Sequence, residues 1–111
     1  MMGEMKETLN EVEQTLRKFS QLTPDQVKEF QDLMEAIEKK GALDPKQKEL
    51  IAIALSVGVQ CKWCIAFHVQ RALKEGATKE EILEATWVAV LMGGGPALMY
   101  SQLVLKALEE F

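Results

Sequence analysis

Apolar residues return along the first segment at alternating four- and three-residue steps, at Met5, Leu9, Val12, Leu16 and Phe19. That spacing lays them on one face of an α-helix. The next segment, TPDQVKEFQDLMEAIEKKG, places Thr23 in N-cap position, Pro24 at the first helical position and Gln26 where a capping box needs it. It closes on two lysines and Gly41, the usual grammar of a helix C-terminus. LDPKQKELIAIALSVG repeats the pattern, with Asp44 as cap, Pro45 in the first turn and Gly58 as the stop. A further helix is expected from near Cys61 to Glu75, halted by Gly76. TKEEILEATWVAVLM opens on a second capping box, Thr78 with Glu81, and PALMYSQLVLKALEEF begins at Pro96 after Gly93, Gly94 and Gly95. No segment alternates with a period of two. The pattern predicts an all-α fold of about six helices.

Two of these segments, LIAIALSVGV and ILEATWVAVLM, are apolar nearly all round, as helices at the centre of a larger body are. A small chain has little room to bury two such helices on every side, so subunits are expected to pack together and share core. Met34, Met92, Met99, Trp87 and Tyr100 stand at apolar helical positions and read as core filling.

Composition narrows the reading. The 111 residues bound a single domain over 1–111, and 48% hydrophobic residues is ordinary for a globular chain. The net charge of −4 comes from interleaved acids and bases, with no basic run or basic-aromatic stripe, which argues against nucleic acid. The longest apolar stretches look too short or too glycine-broken to cross a bilayer, which takes about 20 apolar residues. The opening, MMGEMKETLNEVEQ, is acidic and amphipathic, unlike a secretory signal. A cytoplasmic protein is expected. In that compartment a close cysteine pair is more often catalytic or metal-binding than a structural staple.

The two cysteines and the single histidine of the chain fall within GVQCKWCIAFH, at Cys61, Cys64 and His68. On a helix these positions lie within about 60° of one another around the axis, with Cys64 and His68 one turn apart. If Gly58 ends the preceding helix, both cysteines sit in the first turn of the next. There the free N–H groups and the partial positive charge favour thiolate. A thiolate attacks peroxide oxygen or disulfide sulfur, and a partner two residues away can trap the oxidised sulfur as a disulfide. Glu49, separated from Cys61 by eleven residues and next to Lys48, is brought toward this face if the turn after Gly58 folds the helices back on each other. On composition alone it reads as a solvated acid. Two other readings use the same residues. In one, Cys61, Cys64 and His68 hold zinc with Glu49 or water as fourth ligand, although three positions along one straight helix converge poorly on a tetrahedral centre. Alternatively, the pair would serve a non-catalytic thiol sensor whose disulfide alters assembly.

Glu49-x11-Cys61-x-x-Cys64-x-x-x-His68 resembles the signature of the alkylhydroperoxidase D-like branch of the carboxymuconolactone decarboxylase family. HVQRALKEGATKEEILEA and GGGPALMYSQ are similar to that family's following segments, so the likeness runs from about Leu43 to Leu105. The resemblance implies an all-α fold assembled as trimers or hexamers, with active sites near subunit contacts. It implies reduction of organic hydroperoxides by a cysteine pair cycling between dithiol and disulfide, with no bound cofactor. Cys64 would attack the peroxide, Cys61 would resolve, and Glu49 and His68 would relay protons. A dithiol carrier such as a lipoylated protein would supply electrons. Members with a second relay histidine carry it directly before the second cysteine. Here Trp63 stands there, which shortens the relay; it would either wall the pocket and favour an apolar hydroperoxide or simply pack at an interface. The branch that decarboxylates a muconolactone typically lacks the cysteine pair, so Cys61 and Cys64 argue against that reaction.

Overall fold

A computed structural model describes residues 3–111; the first two residues of the acidic N-terminal segment lie outside it. Six helices follow one another: α1 Glu4–Leu22, α2 Pro24–Glu38, α3 Pro45–Gly58, α4 Lys62–Lys74, α5 Lys79–Tyr100 and α6 Gln102–Glu110. No strand occurs among the described residues. The all-α expectation holds, and two of the predicted caps form as read. Asp44 accepts from the Gln47 amide at 2.8 Å while the Gln47 side chain accepts from the Asp44 amide at 2.9 Å. Thr78 and Glu81 form the same reciprocal pair.

Other boundaries differ. Thr23 makes no capping bond to α2; its hydroxyl donates back to the Phe19 carbonyl at 3.0 Å, so α1 and α2 meet in a tight corner and Gln26 has no box to join. α2 stops at Glu38, ahead of the lysines and Gly41. The Lys48 ammonium donates to the carbonyls of Ile37 and Lys39 there, at 2.7 and 2.6 Å, and satisfies groups the helix end leaves open. The predicted break in the triple glycine falls at Gly94, whose φ of 66° and ψ of −147° only glycine adopts without strain. Pro96 then opens the second arm of α5, where its missing N–H costs nothing.

α4 is the central helix. It packs against α1, α3 and α6, and α3 packs in turn against α5. Ile53 and Val57 of α3, Ile65 and Val69 of α4, Ile82 of α5 and Val104 of α6 are sealed from solvent. Full burial of each such side chain contributes roughly 1.5–3 kcal/mol. Alanines at 66, 72, 89, 97 and 107 let the helices approach closely. The chain ends are tied together: Glu110 accepts from the Met5 and Lys6 amides at 3.1 and 2.8 Å, and Lys106 pairs with Glu4 at 2.9 Å. α6 thus caps the start of α1.

The periphery is less covered than the sequence implies. Only the first half of the α1 seam is buried, at Met5 and Leu9. α2 buries no residue at all. α5 carries a broad bare apolar face, with Trp87 60%, Leu91 80% and Met92 83% exposed. Trp87, Met92 and Met99 are therefore surface residues of the single chain rather than core filling, and Met34 borders a cleft. Counted across its kink, the 22-residue α5 is long and apolar enough to cross a membrane by length and composition alone. The kink at Gly94 and the packing of Ile82, Thr86, Ala89 and Ala97 place it within the bundle.

Candidate active site

The turn between α3 and α4 sets the cysteine pair. α3 runs through Gly58, and the chain reverses two residues later than the expected glycine stop. The Cys61 amide reaches the Ser56 carbonyl at 3.0 Å and the Gln60 amide reaches Val57 at 3.1 Å, with Gln60 at φ 58°. This is a Schellman turn with glutamine in the left-handed place that glycine usually takes. Cys61 consequently lies outside the first turn. It is the N-cap of α4, extended at φ −109° and ψ 103°, and its sulfur accepts from the Cys64 amide at 3.2 Å. Cys64 is the third helical residue. The two sulfurs are joined in a disulfide, with Cα atoms 5.3 Å apart.

One turn further along α4, the His68 Nδ1 lies 2.7 Å from Oε2 of Glu49 on α3. The back-to-back packing of α3 and α4 overturns the solvated reading of Glu49, which is only 4% exposed. A carboxylate is costly to bury unless it is paired and hydrogen-bonded. Glu49 has two partners: His68 on Oε2 and the Arg71 Nε at 3.4 Å from Oε1. With a carboxylate on the Nδ1 side, a neutral ring would donate Nδ1–H and keep Nε2 as its open acceptor.

Cys64 and His68 border one cleft of about 690 Å³, walled by apolar side chains of α1 and α2, among them Leu16, Phe30 and Met34, and by Trp63 and Phe67 of α4. Cys61, half-buried, is not among the residues that line it. Trp63 is pinned, its indole N–H donating to Glu11 on α1 at 3.1 Å while the Lys62 ammonium lies 5.2 Å from the ring centroid. Among the described residues no three cysteine, histidine or carboxylate side chains are arranged to hold a metal ion.

All four residues singled out in the sequence, Glu49, Cys61, Cys64 and His68, meet here. Three others escaped notice. Arg71 follows His68 by three positions on the same helix face, a spacing legible in the sequence. Glu38 pairs with Arg71 at 2.6 Å, and Glu11 holds Trp63; both depend on how α1 and α2 fold over α4, which no local pattern announces.

The sequence pattern of the carboxymuconolactone decarboxylase family matches residues 24–107. A crystal structure of an apo carboxymuconolactone decarboxylase family protein from Legionella pneumophila superposes with a TM-score of 0.94 at 46% identity, over 97% of this chain and 96% of that one. A family protein of Thermotoga maritima, described as a possible participant in an antioxidative response, gives 0.81 at 32% identity over 92% and 87%. An uncharacterized protein of Cupriavidus necator is 37% identical over 100% of this chain and 96% of its own length.

Proposed function

Since the chain belongs to the carboxymuconolactone decarboxylase family, we propose that it is a thiol-dependent peroxidase acting on organic hydroperoxides. The observation that carries this reading is a vicinal disulfide-forming pair whose second cysteine shares an apolar cleft with a carboxylate-oriented histidine. The antioxidative description of the Thermotoga maritima relative agrees with it.

In the reduced protein, the Nε2 of His68 takes the Cys64 thiol proton. The Cys64 thiolate attacks the outer peroxide oxygen, the O–O bond breaks, and the departing alkoxide leaves as alcohol with a proton returned through His68. Cys64 is left as sulfenic acid. The Cys61 sulfur then attacks that sulfur, its thiol proton passing to the departing hydroxide, so that water leaves and the disulfide forms. An external dithiol closes the cycle by attacking the cleft-side Cys64 sulfur and expelling Cys61, becoming a disulfide itself. Cys61 is suited to leave, because its charge falls on the Cys64 amide and the N-terminus of α4. Trp63 and Phe67 favour an apolar peroxide. A lipoylated protein fits the reductant's chemistry, and a reducing cytoplasm fits the cycle.

The uncovered face of α5 supports a homo-oligomer, trimer or hexamer, since contiguous exposed apolar surface of this kind marks an interface. A second reading, a stoichiometric thiol sensor, draws on the same disulfide and the same bare face. The experiment is a thiol titration before and after one equivalent of cumene hydroperoxide, followed by turnover with dihydrolipoamide. Two thiols lost per chain and sustained turnover are expected. Cys64→Ser should consume no peroxide and Cys61→Ser should oxidise once per site. Loss of the thiols without turnover favours the sensor; normal turnover by Cys64→Ser overturns the assignment of roles.

A further inference from the structure

Arg71 is the hub of a chain of charged groups that the proposed chemistry uses only in part. Its Nη2 donates to Glu38 of α2 at 2.6 Å and its Nε lies 3.4 Å from Glu49 Oε1, while its guanidinium stands 5.1 Å from the Phe67 ring centroid. The order is Glu38, Arg71, Glu49, His68, running from the cleft rim to the base. Glu49 is almost fully buried and binds through both oxygens. Without a second cation, the only group able to balance it is the imidazole, which would have to be protonated. A protonated His68 has no acceptor to offer Cys64.

We propose that Arg71 is the positioning residue of this dyad: its fixed charge balances buried Glu49, so that His68 stays neutral with Nδ1–H aimed at the carboxylate and Nε2 open to the cleft. A guanidinium is suited to this because it stays charged at any working pH and can serve two carboxylates from one planar fork. The inference rests on the peroxidase reading for its use, but not for its measurement.

The other charged groups around the ring are accounted for. On α2, Glu38 is paired with Arg71, and Glu35 lies at the cleft wall. On α1, Glu11 takes the Trp63 indole proton. On α3, Lys48 is committed to the carbonyls of Ile37 and Lys39. On α4, Lys62 stands over Trp63 and Cys64 faces the cleft. On α6, Lys106 and Glu110 are engaged at the start of α1. Arg71 is thus the cation bonded to Glu49, and removing it takes away a neighbouring positive charge that discourages protonation of the ring.

His68 is the sole histidine, so one imidazole C2-proton resonance reports its charge in untagged, reduced protein without any substrate. In Arg71→Gln the midpoint of that titration should rise by about one pH unit, and Arg71→Lys should stay within about 0.3 of the parent. The acid limb of the pH profile of kcat/KM should move with it, whereas a merely structural loss would lower activity equally at every pH. If Arg71→Gln does not fold, Glu38→Gln tests the same idea. It leaves the cation to Glu49 alone and should lower the midpoint by a few tenths. An unchanged or lowered midpoint in Arg71→Gln overturns the proposal. So does a shift in Arg71→Lys as large as in Arg71→Gln, or an unchanged or raised midpoint in Glu38→Gln. A protein that shifts as expected yet turns over no hydroperoxide keeps Arg71's role and loses the peroxidase. An active enzyme with an unmoved midpoint does the reverse.

Discussion

The two junctions that bracket α4 share one backbone design and put it to different ends. Between α4 and α5, the Ala77 amide reaches Ala72 at 2.9 Å and the Gly76 amide reaches Leu73 at 3.1 Å, with Gly76 at φ 88°. Between α3 and α4, Cys61 and Gln60 make the equivalent bonds to Ser56 and Val57, with Gln60 in the left-handed region. After the first of these turns comes Thr78, whose hydroxyl accepts from the Glu81 amide at 3.1 Å while the Glu81 side chain reaches back to the Thr78 amide. In the second, the residue that closes the turn is itself the cap: the Cys61 sulfur accepts from the Cys64 amide, and the side chain that reaches back is the Cys64 sulfur. A capping box links the N-cap and the third helical residue, the same offset as a CxxC pair. The cysteine pair is thus a helix cap in which a covalent bond replaces a hydrogen bond. The junction that only has to turn uses glycine; the one that borders the cleft tolerates a left-handed glutamine. Strain of that kind tends to collect where a protein does its work.

Exchanging features between the junctions tests how far the likeness goes. The largest effect is expected at the chemistry that only one of them carries. His68→Ala should slow peroxide reduction at neutral pH by about 10²–10⁴-fold and much less at alkaline pH, where the Cys64 thiol ionises unaided. Stopped-flow rates at the two pH values read this, and equal losses would remove the histidine from the proton path. At the glycine turn, Gly76→Ala should cost about 1–2 kcal/mol in urea unfolding. A Cβ there meets nothing within 4 Å, so the cost is the left-handed backbone alone. Thr78→Ala should cost about 1 kcal/mol by loss of the cap, with no change in thiol reactivity. The Thr78 cap also answers to pH. The Glu81 carboxyl is held below its ordinary 4.5 by the Thr78 amide, with further help from Lys46 at 3.0 Å. Its contribution is complete above pH 4.5 and fades as the pH drops through that lowered value, and Thr78→Ala should weaken this acid dependence. The smallest effect belongs to Gln60→Gly. Relief of about 1–2 kcal/mol of left-handed strain is offset by about 0.5–1 kcal/mol of extra chain entropy in the unfolded state, so unfolding should shift toward stability by about 0–1.5 kcal/mol, centred below 1. A loss of stability on that change would mean that the glutamine side chain itself holds the turn.

The legible part of the molecule was the part written in local rules. Asp44 with Gln47, Thr78 with Glu81, the glycine stop at Gly76 and the break among Gly93, Gly94 and Gly95 all act within four or five residues, and each was readable as a string. The place of the cysteines was readable to within one step: Cys61 is the cap itself because the turn closes at Gln60 and not at Gly58. The misjudged residues answer to distance. Thr23 looked like a cap, but α1 and α2 meet so tightly that its hydroxyl turns back to Phe19. Met92 and Trp87 looked like core, because apolar spacing says that a face seeks cover and not whether the same chain supplies it.

The sequence alone determined the helices, the caps at Asp44 and Thr78, and the crowding of two cysteines and a histidine at the head of α4, since dihedral preference and side-chain periodicity are properties of neighbours in the chain. Tertiary structure decided the rest. Glu49 became a buried partner of His68 because α3 packs against α4, and Arg71 became its counter-charge because Glu38 arrives from α2. The worth of a charge depends on what surrounds it, and those surroundings come from residues 19 to 33 positions away, which only the packed fold brings within hydrogen-bonding reach.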